Sequence, residues 1–321
     1  MSHPLENHWT DTPRYHVVAQ CRWCHGRFVF VYGEQWVCET DACARRQIAA
    51  ALRRAEAPSD ESPYMFLPLP LQVEGDDSPV KRLATWGPVG ISKSFGTRQQ
   101  LYARCRKIKG YTALLLRSTY DQLYKNHLQF MPAEATKLGD ATFKGPGGGK
   151  PAQMLFDCDS KIMTGYLQDR GDIAQHMGIE YDEVAVDEAN NIITEGLKKV
   201  TSRDRGAKES YKTRMAMGLE EGRTRLMLNV GGISWRYIED FYIEKRPDAS
   251  EFEHYDPNDY GAITGDIRDN PYLTPRMLTS VLGGLDTALY AQLAHGRRDV
   301  FPGQFFEHFN PDQHVVSMEP K

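Results

Sequence analysis

Two short stretches carry residue types at spacings that suit phosphate chemistry. Gly87-Pro-Val-Gly90-Ile-Ser92-Lys93-Ser94 follows the pattern G-x4-G-K-[ST], except that Ser92 stands where the pattern has glycine. In such a loop the backbone N–H groups cradle phosphates, the lysine reaches the β- and γ-phosphates, and the hydroxyl holds Mg2+. Tyr181 to Asn190 is a hydrophobic run closing on paired carboxylates, Asp187 and Glu188. A carboxylate at a strand end can hold Mg2+ through water while the next glutamate polarises an attacking water, the positioning that phosphoryl transfer requires. The plainer alternative is an acidic helix start, which the helix macrodipole favours on its own. Serine at 92 is a departure, because glycine tolerates backbone angles that serine resists. A second glycine-rich stretch, Gly145 to Pro151, has proline after its lysine and no strand-then-helix context, so a flexible hairpin tip is expected there.

A different chemistry is suggested nearer the amino terminus. Cys21 and Cys24 form a C-x2-C pair, and Cys38 and Cys43 a C-x4-C pair. A tight Cys turn presents two thiolates to one ion, and a second pair completes a tetrahedral Zn2+ shell. Disulfides are the alternative, and His16 or His25 could replace a ligand of the looser pair. Between the pairs, RFVFVYGEQWV reads as a short hairpin, and ARRQIAAALRRAEA after Cys43 as a helix. The order resembles a treble-clef or ribbon zinc finger, in which zinc would supply on the order of 10 kcal/mol of folding energy. Arg45, Arg46, Arg53 and Arg54 give that helix a basic face, suited to phosphates or simply to solvent.

These residues need a scaffold, and 321 residues at 40% hydrophobic are enough for roughly two domains and a large core. A formal net charge of −4 argues against a chain that merely coats a polyanion. The absence of an apolar run of about 18 residues argues against a membrane span. The polar opening MSHPLENHWTDTPRYH shows no signal peptide, so an intracellular protein is expected. From Val80 onward strands and helices alternate, the order a parallel α/β sheet needs. The expected organisation is a zinc-binding module over 1–56, a Pro- and acid-rich linker over 57–79, an α/β core over 80–270, and a lid with an exit segment over 271–321. Within the core, residues 197–214 carry seven basic residues against two acids. Lys198, Lys199, Arg203, Arg205 and Lys208 could track a phosphate backbone without reading bases, although a solvated helix face is the alternative. Trp86 is expected to pack under the phosphate loop and Trp235 to anchor a helix, with Cys105 and Cys158 as lone reduced thiols.

Together, several segments resemble the ATPase domain of the large terminase subunit of tailed bacteriophages. TALLLRSTYDQLYKNHLQF looks like that family's second strand and helix. SKIMTGYLQDRGDIAQHMGIEYDEVAVDEAN is similar to its hairpin, connecting segment and carboxylate strand. RLMLNVGG looks like the strand ending in its coupling motif, and the segment from Asp269 to Phe306 resembles its lid region. The resemblance implies a P-loop NTPase of the additional-strand, conserved-glutamate type, with a mainly parallel central sheet and a helical lid. It implies that Gly87, Gly90, Ser92, Lys93 and Ser94 bind ATP, with Ser94 and Asp187 on Mg2+. Glu188 would activate water and Asn229 would sense the γ-phosphate. It further implies a homo-oligomeric ring around double-stranded DNA, docked on a capsid portal in the host cytoplasm with a small terminase subunit. Arg170, or else Arg203 or Arg205, would complete a neighbour's site. Such subunits usually continue into an RNase H-like nuclease domain; this sequence stops where that domain would begin, so either it is a fragment or the nuclease resides on another polypeptide, and no cutting activity is expected. A helicase-like translocase and a degenerate ATPase serving as a zinc-containing assembly adaptor are the competing readings.

Overall fold

The computed structural model describes residues 70–219, 221–247, 255–265 and scattered positions between 270 and 298, with three short strands nearer the amino terminus. Those strands are β1 (Val18–Gln20), β2 (Arg27–Val31) and β3 (Gln35–Cys38), paired antiparallel in the order β1-β2-β3. The expected hairpin is therefore present, closing across the Val31–Gln35 pair. Cys21, Cys24, Cys43 and the helix expected after them lie outside the described residues.

The larger sheet has eight strands. In chain order these are β4 (Arg82–Trp86), β5 (Thr112–Arg117), β6 (Ala141–Lys144), β7 (Gln153–Phe156), β8 (Lys161–Tyr166), β9 (Glu183–Asp187), β10 (Arg223–Leu228) and β11 (Tyr260–Thr264). Their spatial order is β11-β4-β10-β9-β5-β8-β7-β6. The first six run parallel, while β6 and β7 form an antiparallel hairpin at one edge. That hairpin holds the second glycine-rich stretch at its exposed tip, as expected.

Side-chain alternation explains why the central strands sit where they do. β5 and β9 are buried along their whole length, so both of their faces must be covered. Leu114, Leu116, Val184, Val186, Leu226 and Leu228 turn to one face, against Leu197, Val200, Trp235 and Ile238. Ala113, Leu115, Ala185 and Met227 turn to the other, against Leu101, Tyr102, Cys105 and Met131. The second face is covered by α2 (Lys93–Lys107), which leaves β4 through the phosphate loop and carries the buried Leu101, Tyr102 and Cys105. Before it, α1 (Pro70–Asp77) occupies part of the stretch expected to be a linker. Its Leu71 and Gln72 are buried, Gln72 lying against Gly96 of α2, so a segment polar in composition is held by two inward side chains.

After β5, Thr119 caps α3 (Tyr120–Leu123), accepting a hydrogen bond from the Gln122 amide. The helix widens into a π turn over Tyr124–Leu128, and α4 (Met131–Leu138) follows. α5 (Thr194–Thr201) and α6 (Tyr211–Ala216) lie between β9 and β10, and α7 (Trp235–Ile238) comes after β10. Among the described residues no helix is long and apolar enough to cross a membrane.

Candidate active site

Parallel strands deliver their carboxyl ends to one edge of a sheet, and ligands of open α/β sheets bind there. At this edge β4 ends in the phosphate loop, β9 in Asp187-Glu188, β5 in Arg117, and β10 immediately before Asn229. The register pairs Leu228 with Trp86 and Met227 with Asp187, so Asn229 emerges between the loop and the carboxylates. β10 thus separates the lysine strand from the carboxylate strand.

The loop keeps a phosphate-cradle backbone despite its serine. Gly87 and Gly90 take φ of 146° and 91°, and Ser92 takes a left-handed φ of 60° with ψ of 31°. Left-handed backbone costs a residue with a Cβ roughly 1–2 kcal/mol. The loop is pinned from outside: Gln72 Nε2 donates to the Ser92 carbonyl at 3.2 Å, and Asn270 Nδ2 to the Gly90 carbonyl at 2.6 Å. The Val89 amide donates to the Leu293 carbonyl at 2.9 Å, which ties the chain after residue 270 to the loop. Trp86 packs edge-on against Trp235 at 6.3 Å and under the Arg298 guanidinium at 5.5 Å. Ser92→Gly should therefore raise stability by about 0.5–1 kcal/mol in urea denaturation, the relieved strain exceeding the added chain entropy.

Lys93 folds back on its own loop, donating to the Gly87 and Pro88 carbonyls at 2.9 and 2.8 Å. Burial lowers its ammonium from 10.5 to about 8, against the pull of Asp187 and Glu188. Between about 8 and 10.5 the unfolded chain holds more proton than the folded one, so this group's contribution to stability grows with pH across that window. A bound polyanion restores the charge. Nucleotide binding near pH 9 should therefore take up a proton, read as a binding heat that varies with buffer ionisation enthalpy, and Lys93→Ala should remove that uptake.

The carboxylates form one network. Asp187 is 2% exposed and accepts from Arg117 Nη1 at 2.5 Å and from His127 Nε2 at 3.0 Å, both on Oδ2. Burial would raise its carboxyl, but the hydrogen bond from His127, the Arg117 charge and the Ser94 hydroxyl hold it below the usual range. The Ser94 bond joins the loop to the carboxylate strand. Arg117 Nη2 pairs with Glu188, whose second oxygen takes a 3.4 Å bond from Asn191 Nδ2. Glu188 has a left-handed backbone, φ 52° and ψ 45°, a strained state that recurs at functional sites. Among the described residues the buried Asn229 Oδ1 has no hydrogen-bond partner.

These residues fit a Mg2+-bound triphosphate: a hydroxyl set against a buried carboxylate, a lysine whose described hydrogen bonds go to loop carbonyls, and an asparagine on the adjacent strand whose amide N–H can donate to phosphate. Ser94 and Asp187 would hold the ion, which would neutralise phosphate charge. Lys93 would exchange its carbonyls for phosphate oxygens, Asn229 would offer its amide, and Glu188 would orient water. Among the described residues no group of three or more His, Cys, Asp and Glu side chains is arranged to hold a metal, a set that excludes three of the four clustered cysteines.

The other expected residues divide between the two edges. Arg170 follows β8 at the catalytic edge, its side chain 83% exposed and paired with Glu195 at 3.0 Å. Lys199 pairs with the same Glu195 at 2.7 Å, and Lys198 lies over the Tyr237 and Phe241 rings at 4.9 and 5.3 Å. Arg203 and Gly206 exchange backbone bonds with Tyr181, just ahead of β9, which places Arg203, Arg205 and Lys208 near the opposite edge. Arg205 and Lys208 are exposed there, whereas Arg214, counted in the same basic run, is buried on Asp182. Sequence reasoning named neither Arg117, beyond quoting the segment around it, nor His127, Arg98 and Glu134 as site residues. A strand such as TALLLR that closes on arginine rather than a small or polar residue was the available signal.

The parallel sheet, the inserted β10 and the loop at its carboxyl edge define an α/β fold of the P-loop kind. Solved structures with this fold include the large terminase of the thermophilic bacteriophage D6E, at TM-score 0.55 and 14% identity over 79% of this chain and 59% of that one. Forms of the same terminase with ADP and with ATP-γ-S give TM-scores of 0.53 and 0.52 at 14% and 13% identity. The ADP form is covered over 59% of its length and the ATP-γ-S form over 58%, each matching 79% of this chain. At such identities the likeness is one of fold, and this chain spans about three fifths of the D6E protein. No protein-family model matches the chain, and no curated protein matches its sequence.

Proposed function

We propose that this chain is the ATP-hydrolysing subunit of a DNA-packaging motor of the large-terminase kind. The observation that carries this reading is the convergence of Lys93, Ser94, Asp187, Glu188 and Asn229 on one sheet edge, with the Ser94 hydroxyl set against Asp187 across the intervening β10. ATP with Mg2+ is the substrate, Glu188 activates water, and Lys93 and Asn229 bind the phosphates. Arg170, exposed at the same edge, is the residue that would reach a neighbouring copy's site in a ring. Double-stranded DNA is the track, and exposed Arg205 and Lys208 are its candidate backbone contacts, helped by Lys198, Lys199 and Arg203. A capsid portal and a small terminase subunit are the expected partners, and the host cytoplasm the expected place of work.

The amino-terminal module is assigned Zn2+ on Cys21, Cys24, Cys38 and Cys43. This is supported by strand register: β1 ends at Gln20, β2 starts at Arg27 and β3 ends at Cys38, all at one end of the small sheet. The chain segments bearing both cysteine pairs are attached there. The strained Ser92 favours one second reading, a degenerate ATPase used as an adaptor. Turnover by the parent, Lys93→Ala and Glu188→Gln, with duplex DNA present and zinc measured by mass spectrometry, separates the two. Hydrolysis by the parent alone supports the motor. Equal background rates in all three support the adaptor. Strand separation during translocation would point to a helicase instead.

A further inference from the structure

We propose that His127 is a positioning residue for Asp187, and that Arg98 and Glu134 fix the tautomer in which it acts. The inference rests on the nucleotide-site reading above, since it assigns Asp187 to the metal side of that site. His127 is fully buried, carried inward by the π turn between α3 and α4, a helix irregularity frequent at functional sites. Its two ring nitrogens face different groups. Nε2 lies 3.0 Å from Asp187 Oδ2, and Nδ1 lies 3.4 Å from Arg98 Nη1.

A guanidinium only donates. Nδ1 opposite Arg98 must therefore accept, the ring proton must sit on Nε2, and Nε2–H must donate to Asp187. Arg98 cannot turn away. Its Nε and Nη2 grip the two Glu134 oxygens at 3.0 Å each, and Nη1 also donates to the Asn126 carbonyl at 2.7 Å. Glu134 is held in turn by the Tyr102 hydroxyl at 2.6 Å and Gln99 Nε2 at 3.1 Å. The rings of Phe95 and Phe130 flank the guanidinium at 5.7 and 5.0 Å.

The chain Glu134–Arg98–His127–Asp187 runs from the helical layer to the strand end, and among the described side-chain bonds none from its first three members reaches Lys93, Ser94 or Glu188. Arg117, by contrast, grips Asp187 and Glu188 together. His127 therefore orients the metal-side carboxylate without acting on the residue that faces water. Outer partners of metal ligands typically affect metal affinity 10–100-fold.

Two measurements test this. The first uses nucleotide-free parent protein with 15N-labelled histidine, and long-range 1H–15N spectra assigned by His127→Gln. A neutral ring protonated on Nε2 is expected, and a ring protonated on Nδ1 overturns the proposal whether or not the protein hydrolyses ATP. The second is the Mg2+ concentration for half-maximal ATP turnover, with Mn2+ binding to the ADP complex read by electron paramagnetic resonance. His127→Phe should raise the metal requirement about tenfold, while His127→Gln, whose amide can replace Nε2–H, should stay within about twofold of the parent. Parent-like metal binding in both variants overturns the proposal. A parent that binds neither nucleotide nor metal defeats the nucleotide-site reading, and the ring spectrum still reports on the Arg98–His127–Asp187 arrangement.

Discussion

Glu188→Gln is expected to lower ATP turnover by about 10²–10⁴ while nucleotide stays bound, the range general-base contributions commonly reach. Glutamine keeps the shape and one of the two acceptor oxygens but has no carboxylate to polarise water. Asp187 retains Arg117, His127 and Ser94, so the phosphate and metal side is left standing. Single-turnover kinetics should show normal binding of a fluorescent ATP analogue and a collapsed chemical step. A variant that hydrolyses at the parental rate removes Glu188 from the water-facing role.

The second large effect concerns stability. Arg117 is 3% exposed and bridges Asp187 and Glu188, so Arg117→Met leaves one fully buried and one partly buried carboxylate without their cation. Removing one partner of a buried ion pair typically costs 3–5 kcal/mol, because an uncompensated charge remains. A loss of about that size is expected from urea denaturation at neutral pH. The pH dependence supplies a sign check. In the parent, Asp187 lies below its unfolded value, so its contribution is complete above that value and fades as pH falls through the folded one. Without Arg117 the Asp187 carboxylate is more readily protonated, and the gap between variant and parent should narrow on acidification. A constant gap at all pH values would mean that lost packing, not charge, sets the cost.

Much of the fold could be read in advance because the strands are strongly patterned. TALLLR and EVAVD are continuous apolar runs that only a doubly covered parallel sheet can bury, and each is followed by the polar residues of the site. Helix α2 was legible from its formers and from the loop that opens it. The segment around α1 was not, because its composition is that of a linker and its inward side chains, Leu71 and Gln72 among those described, are few. The basic run that begins in α5 was legible as charge but not as geometry: Lys198 lies on two aromatic rings, Lys199 on Glu195, and Arg214 on Asp182. His127 and Arg98 escaped because neither belongs to a motif. Their contact exists only because the π turn rotates one residue toward the face that α2 covers.

The claim beneath all of this is that a triphosphate and its cation sit between Lys93 and the Asp187-Glu188 pair. A crystal structure with a non-hydrolysable ATP analogue and Mn2+ tests it directly, since anomalous scattering locates the ion independently of the protein. The account predicts the anomalous peak between the Ser94 hydroxyl and the Asp187 carboxylate, with the Lys93 ammonium moved from the Gly87 and Pro88 carbonyls onto phosphate. A peak and nucleotide found elsewhere, with Lys93 still bonded to its own loop, would contradict it.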